Sequence, residues 1–61
     1  MTTTTKSGKI VLIRVRNVGI NFGCVGQIVA RNGRVIAESQ TRPRGATALA
    51  EADALALAAR I

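Results

Sequence analysis

The order of residue types along the chain predicts a small α+β domain: a three-stranded antiparallel sheet followed by one C-terminal helix (β-β-β-α), paired in a homodimer. Three observations carry that expectation. A β-branched apolar run, KIVLIRVR, occupies residues 9–16, and such runs favour extended backbone. Asn32-Gly33 lies between the two apolar runs of IVARNGRVIAES. That pattern is the strongest short hairpin signal, because the tightest turns need positive φ. An Ala- and Leu-rich stretch, TALAEADALALAARI, fills residues 47–61 with strong helix formers.

Residues 1–8, MTTTTKSG, contain no apolar run and are expected to form a disordered tail, leaving 9–61 as a single domain. They lack the roughly 7–15 apolar residues of a signal peptide, and no stretch reaches the roughly 18 that a membrane span needs. The expectation is a soluble, cytoplasmic chain. In the first strand, Val11, Ile13 and Val15 share one face, and Ile10, Leu12, Arg14 and Arg16 share the other, because side chains alternate. The wholly apolar face is expected against the core. NVGINFG, residues 17–23, reads as a loop or wide hairpin turn. Phe22, the only aromatic residue, is expected to plug an edge of the core.

With Asn32-Gly33 as a two-residue type I′ loop, Arg31 pairs with Arg34, Ala30 with Val35, Val29 with Ile36, Ile28 with Ala37 and Gln27 with Glu38. That register puts Ile28, Ala30, Val35 and Ala37 on the core face. Val29, Ile36, Gln27 and Glu38 then share the outer face with Arg31 and Arg34. Directly opposed like charges repel, so two arginines at the hairpin mouth point mildly to an anionic partner.

SQTRPRG, residues 39–45, is a basic linker in which Pro43 keeps Arg42 out of helical backbone. Thr47 is the expected N-cap. Glu51 and Asp53 near the start, and Arg60 at the end, suit the helix dipole. At about 100° per residue the helix shows two apolar arcs. One holds Ala48, Ala52, Leu55, Ala56 and Ala59, with Leu49 at its margin; the other holds Ala50, Ala54, Leu57 and Ile61. A surface helix needs one arc, so the second predicts contact with another subunit.

Size points the same way. A chain of 61 residues buries only about 60% of the surface its unfolded form exposes, and such domains lean on disulfides, a metal or a partner. Cys24 is the only cysteine and there is no His. An intramolecular disulfide and a zinc site of the usual kind are therefore excluded, and self-association remains. Cys24 itself reads as a small buried apolar residue. The candidate dimer interface is the outer sheet face, with Ile10, Leu12, Val25, Val29 and Ile36, together with Leu57 and Ile61 of the second helix arc.

No catalytic constellation stands out. Without His there is no Ser-His or Cys-His pair, and Glu51 and Asp53, two residues apart on a helix, face different directions. A non-catalytic binding protein without metal or cofactor is expected. Nine Lys and Arg against three acids leave a net charge of +6, which suits polyanions. The candidate nucleic-acid contacts are Arg14, Arg16, Arg31, Arg34, Arg42 and Arg44, the last two leading to the free N–H groups of a helix N-terminus. With no base-stacking aromatics, duplex binding is predicted rather than single-strand readout. It should be weakly sequence-selective and steeply salt-dependent. The alternatives are a protein-interaction module, such as a phage or mobile-element inhibitor or adaptor steered to an acidic protein surface, and a homodimer with another role. No membrane contact is expected.

At residues 30–39, ARNGRVIAES, the chain resembles the YegP-like family of small bacterial proteins of unknown function. The likeness runs through Ala30, Asn32, Gly33, Val35, Ile36, Ala37 and Ser39 and continues loosely over Arg42 to Ala54. The resemblance implies a β-β-β-α unit that pairs with a second copy, in tandem or as a homodimer, and it implies no activity. GCVGQIVARNGRVIAES followed by ALAEADALALAARI is also similar to the first half of ribonuclease H-like domains, which cut nucleic acid with carboxylates that hold two metal ions. Asp53 sits where the helix glutamate of that family would be, but the first strand offers Arg14 and Arg16 where an Asp is needed. One carboxylate cannot build a two-metal site, so the likeness implies local topology and not nuclease activity.

Overall fold

A computed structural model describes residues 1–19 and 22–61. Four strands, β1 (Thr2–Thr4), β2 (Ile10–Gly19), β3 (Gly23–Val29) and β4 (Val35–Glu38), precede one helix, α1 (Thr47–Ala58). The sheet is antiparallel throughout, in the order β1-β2-β3-β4. The α+β class and the C-terminal helix match the expectation, but the sheet has four strands rather than three. The additional one comes from the segment expected to be a disordered tail: Thr2, Thr3 and Thr4 pair with Leu12, Val11 and Ile10. Threonine is β-branched and suits a strand despite its polarity. The reversal into β2 is tied by Thr5, whose N–H donates to the Lys9 carbonyl at 2.8 Å and whose hydroxyl accepts from the Lys9 N–H at 3.1 Å.

β2 alternates as its sequence requires. Val11 and Ile13 are buried at 2% and 3% exposure and Val15 is half-buried, whereas Ile10, Leu12, Arg14 and Arg16 are exposed. Residues 20 and 21 of the expected loop lie outside the described residues. Phe22 does not plug the core. It is 72% exposed, because it sits in the β2–β3 turn with its N–H directed at the Gly19 carbonyl, 3.4 Å away.

β3 is buried along its whole length, with β2 and β4 on its two sides and the helix across one face. Cys24, Gly26 and Ile28 turn toward the helix, and Val25, Gln27 and Val29 turn outward. Val25 and Val29, expected as free dimer-interface residues, are covered within the chain at 7% and 3% exposure. A central strand is shielded by neighbouring side chains even on its uncovered face.

The helix packs through its smallest residues. Ala50, Ala54 and Ala58 are buried, and Ala54 and Ala58 join Val11, Ile13 and Ile28 in the main core cluster. Gly26 lets them approach: a Cβ placed there would lie 2.7 Å from the Ala54 Cβ and nearer still to the Ala50 carbonyl oxygen. The arc containing Ala50, Ala54 and Leu57 therefore faces the sheet. Leu57, expected at a subunit interface, instead packs partly buried against this core, as does Leu55. Apart from Leu55, the other arc stands in solvent, with Leu49 53% exposed, and Ile61, 40% exposed, lies beyond the helix end. Alanine faces tolerate water cheaply, so two arcs did not require two partners.

The helix ends also differ from expectation. Ala46, not Thr47, is the N-cap, and no side chain caps it. The entry is shaped by a turn over Pro43–Ala46, closed by the Ala46 N–H on the Pro43 carbonyl at 3.0 Å, with Gly45 at φ 88°. Glu51 falls after the first turn and Arg60 after the last, so neither terminal turn carries a dipole-matching charge. At the other end the Ala58 carbonyl accepts the Lys6 N–H at 3.3 Å, tying the helix to the β1–β2 turn. No helix among the described residues is long and apolar enough to cross a membrane.

Candidate functional site

The hairpin tip is built differently from a two-residue turn. Gly33 has φ 88°, whereas Asn32 keeps negative φ, so the type I′ geometry is not met. The Ala30 N–H donates to the Arg34 carbonyl at 2.8 Å and the Gly33 N–H to the Ala30 carbonyl at 2.9 Å. This is a three-residue loop, Arg31-Asn32-Gly33, ending in a left-handed glycine. The Asn32 Oδ1 accepts the Arg34 N–H at 3.0 Å and holds the turn. Ala30 rather than Arg31 thus faces Arg34, and the expected head-on arginine pair is relieved. The longer loop also shifts the register. Gln27–Glu38 and Ile28–Ala37 pair as expected, but Val29 pairs with Val35. That puts Val35 opposite outward-facing Val29 and leaves Ile36 at the irregularity. Both are exposed, at 36% and 47%.

Where β2 and this tip diverge, an open groove of about 840 Å³ forms. Lys9 on one side and Arg31 and Arg34 on the other supply its charge; Ile10, Val35 and Ile36 supply apolar lining, and among the described residues no carboxylate lines it. All three cations are exposed. The site is therefore a wet cationic rim around exposed aliphatic carbon, able to hold an anion by charge.

The six arginines singled out from the sequence do not form one patch. Arg31 and Arg34 lie at the tip. Arg14 and Arg16 lie on the outer face of β2, opposite Gln27 and Val25. Arg42 and Arg44 lie at the far end, since Arg42 bridges to Cys24 at the start of β3. Five residues of β3 lie between that bridge and the Ala30–Arg34 closure, a span of about 20 Å at strand rise.

Their environments differ as much as their positions. The Arg14 Nε donates to the Gln27 Oε1 at 2.7 Å, and the Gln27 Nε2 donates to the Glu38 Oε2 at 3.0 Å. Gln27, only 2% exposed, is thereby satisfied at both ends of its amide. Arg42 is an internal clamp rather than a free cation. Its Nε and Nη2 donate to the Asp53 Oδ2 and Oδ1 at 2.6 and 3.0 Å, a bidentate pair that fastens the linker to the helix. These hydrogen bonds hold the Asp53 carboxyl below the usual carboxylate range. Asp53, expected to complement the helix dipole, is instead a fastening point. Cys24 is fully buried under the linker, with its Sγ directed at the Pro43 carbonyl, 3.7 Å away.

Lys9, Gln27, Glu38 and Asp53 are the participants that sequence reasoning passed over. The Gln27–Glu38 contact was implicit in the hairpin register. The Arg14 contact needed the β2–β3 register, which the ambiguous NVGINFG segment concealed. Among the described residues, no group of three or more His, Cys, Asp or Glu comes together as a metal site. Comparison of the chain with protein-family models, curated proteins and solved structures gives no significant match.

Proposed function

We propose that the chain is a small, non-catalytic binding protein that contacts nucleic acid phosphates through its hairpin tip and works as a homodimer. The observation that carries this reading is the convergence of Lys9, Arg31 and Arg34 on one groove with no carboxylate in its lining. Arg16 on the outer face and Arg44 at the far end extend the positive field, whereas Arg42 is consumed by Asp53. Field from an unneutralised cluster attracts a polyanion and is weakened by salt. The absence of any aromatic in the groove favours duplex backbone over stacked single strands. The buried free thiol of Cys24 is compatible with a reducing compartment such as the cytoplasm.

A band-shift titration with duplex DNA across a salt series tests the reading. Two tips with three cations each give an expected slope near −5 in log affinity against log salt, about a 10³-fold loss between 50 and 200 mM. Arg31→Glu with Arg34→Glu should abolish the shift. A salt-independent affinity, or a shift unaltered by the reversals, overturns it. A second reading rests on the aliphatic lining: Ile10 is 60% exposed beside the same cations, which suits an acidic protein segment. Under that reading the duplex shift is absent at every salt concentration.

A further inference from the structure

We infer that two copies pair through their outer sheet faces about a two-fold axis running parallel to β3, so that Arg14 of each chain meets the partner's Glu38. The inference deepens the homodimer part of the proposed function and needs no nucleic acid.

The face is laid out in rows by the strand register. Arg14, Gln27 and Glu38 lie side by side across β2, β3 and β4, and hydrogen bonds join them in that order. The row reads positive, neutral, negative. The next row toward the hairpin tip reads Leu12, Val29, Val35, wholly apolar. A two-fold axis parallel to β3, midway between two such faces, keeps each row in place along the strand and exchanges the β2 side for the β4 side. Arg14 then comes over the partner's Glu38, and Gln27 over its own copy. Leu12 comes over the partner's Val35, and Val29 over its own copy. Within these two rows every opposition is opposite-charge, amide-to-amide or apolar-to-apolar, with Gln27 and Val29 themselves already nearly covered in each chain and Leu12 and Val35 carrying the exposed apolar surface. This is the self-complementarity that an isologous interface requires. Sheets packed face to face hold strand directions within about 30°, at about 10 Å separation, which long Arg and Glu side chains span.

Other occupants fit less well. A phosphate backbone or an anionic lipid surface on this face would meet the Glu38 carboxylate. The unsatisfied aliphatic surface, Ile10 at 60% and Leu12 at 40%, supplies the drive, and the ion pairs supply the register. Because the axis runs along the strands, both hairpin tips fall at the same end. The Lys9, Arg31 and Arg34 clusters of the two chains then flank one another, which doubles the cationic site.

The test is sedimentation equilibrium of the protein alone, at micromolar concentration, with circular dichroism confirming the fold. Wild type is expected at twice the 6.4 kDa chain mass. Arg14→Glu and Glu38→Arg each place like charges across the interface twice, raising the dimer dissociation constant by about 10²-fold or more. The double swap, Arg14→Glu with Glu38→Arg, restores dimerisation, and the Gln27 amide can rotate to serve both new partners. Leu12→Lys, which leaves the ladder untouched, also yields monomer and serves if the charge variants unfold. A monomeric wild type, single variants that dimerise normally, or a double swap without recovery overturns the inference. A dimer that shifts no duplex overturns only the nucleic-acid reading.

Discussion

Gly26→Ala is the substitution whose cost follows most directly from the geometry. The helix rests on Gly26 so closely that an added Cβ would stand 2.7 Å from the Ala54 Cβ and closer to the Ala50 carbonyl oxygen. Carbon atoms in contact prefer about 3.5–4.0 Å, so the helix must retreat by about 1 Å. That retreat opens a gap along Ala50, Ala54 and Ala58, all buried at 0–1% exposure, and a gap of this size forfeits about a quarter to a half of each contact's attraction. Overpacking of this kind costs about 1–3 kcal/mol, and the carbonyl, being backbone, cannot rotate aside. At about 4–8 °C per kcal/mol for a domain of this size, 2 kcal/mol lowers Tm by about 8–16 °C. With neither Trp nor Tyr in the chain, the assay is a far-UV circular dichroism melt. Both proteins must be run at equal concentration, because self-association would make Tm concentration-dependent. A variant melting within about 2 °C of wild type, a fraction of 1 kcal/mol on that scale, would show that the helix does not sit on Gly26 as described.

Three further substitutions probe the clamp and the tip. The folded-state pKa of Asp53 is depressed chiefly by hydrogen bonds from Arg42, so its contribution to stability is full above the ordinary carboxylate range and disappears as pH falls through the lower folded value. Asp53→Asn should therefore melt below wild type at pH 7, with the gap closing on acidification; a gap independent of pH contradicts the clamp. Gly33→Ala forces a side chain into φ 88° and should cost about 1–2 kcal/mol, whereas Asn32→Gly should not approach that cost. Equal, large losses at both positions by denaturant titration would favour the two-residue turn instead.

The faces of β2 were legible because one alternating set, Val11, Ile13 and Val15, is wholly apolar while the other ends in Arg14 and Arg16. The hairpin was legible as a hairpin, but its loop length was not. Asn-Gly serves both a type I′ turn and a three-residue loop, and the difference decided whether Val35 or Ile36 lies opposite Val29. β1 was missed because four threonines carry no apolar alternation; their pairing is set by a neighbour, Ile10–Leu12, already committed to strand. Burial of Val25 and Val29 was misjudged because a central strand inherits cover from its flanks, a property of topology rather than of residue type. The helix face was undetermined in a stretch where alanine sits on every side, and Gly26, which selects the face, lies far away in sequence. At the candidate site, the tip arginines were visible as charges. The diversion of Arg42 to Asp53 depends on a bridge between Cys24 and the linker that no local pattern announces.

The simple up-and-down order of the strands carries a kinetic consequence. Every strand hydrogen-bonds to its immediate predecessor or successor in the chain, so no early encounter demands closure of a long loop, and proteins with such local connectivity fold quickly. The distant encounters, those of the helix with β1, β2 and β3, cannot be completed until the meander has presented its glycine notch. The hairpins should therefore form ahead of the helix docking, and the rate at which the finished molecule appears should be governed by that last seating step.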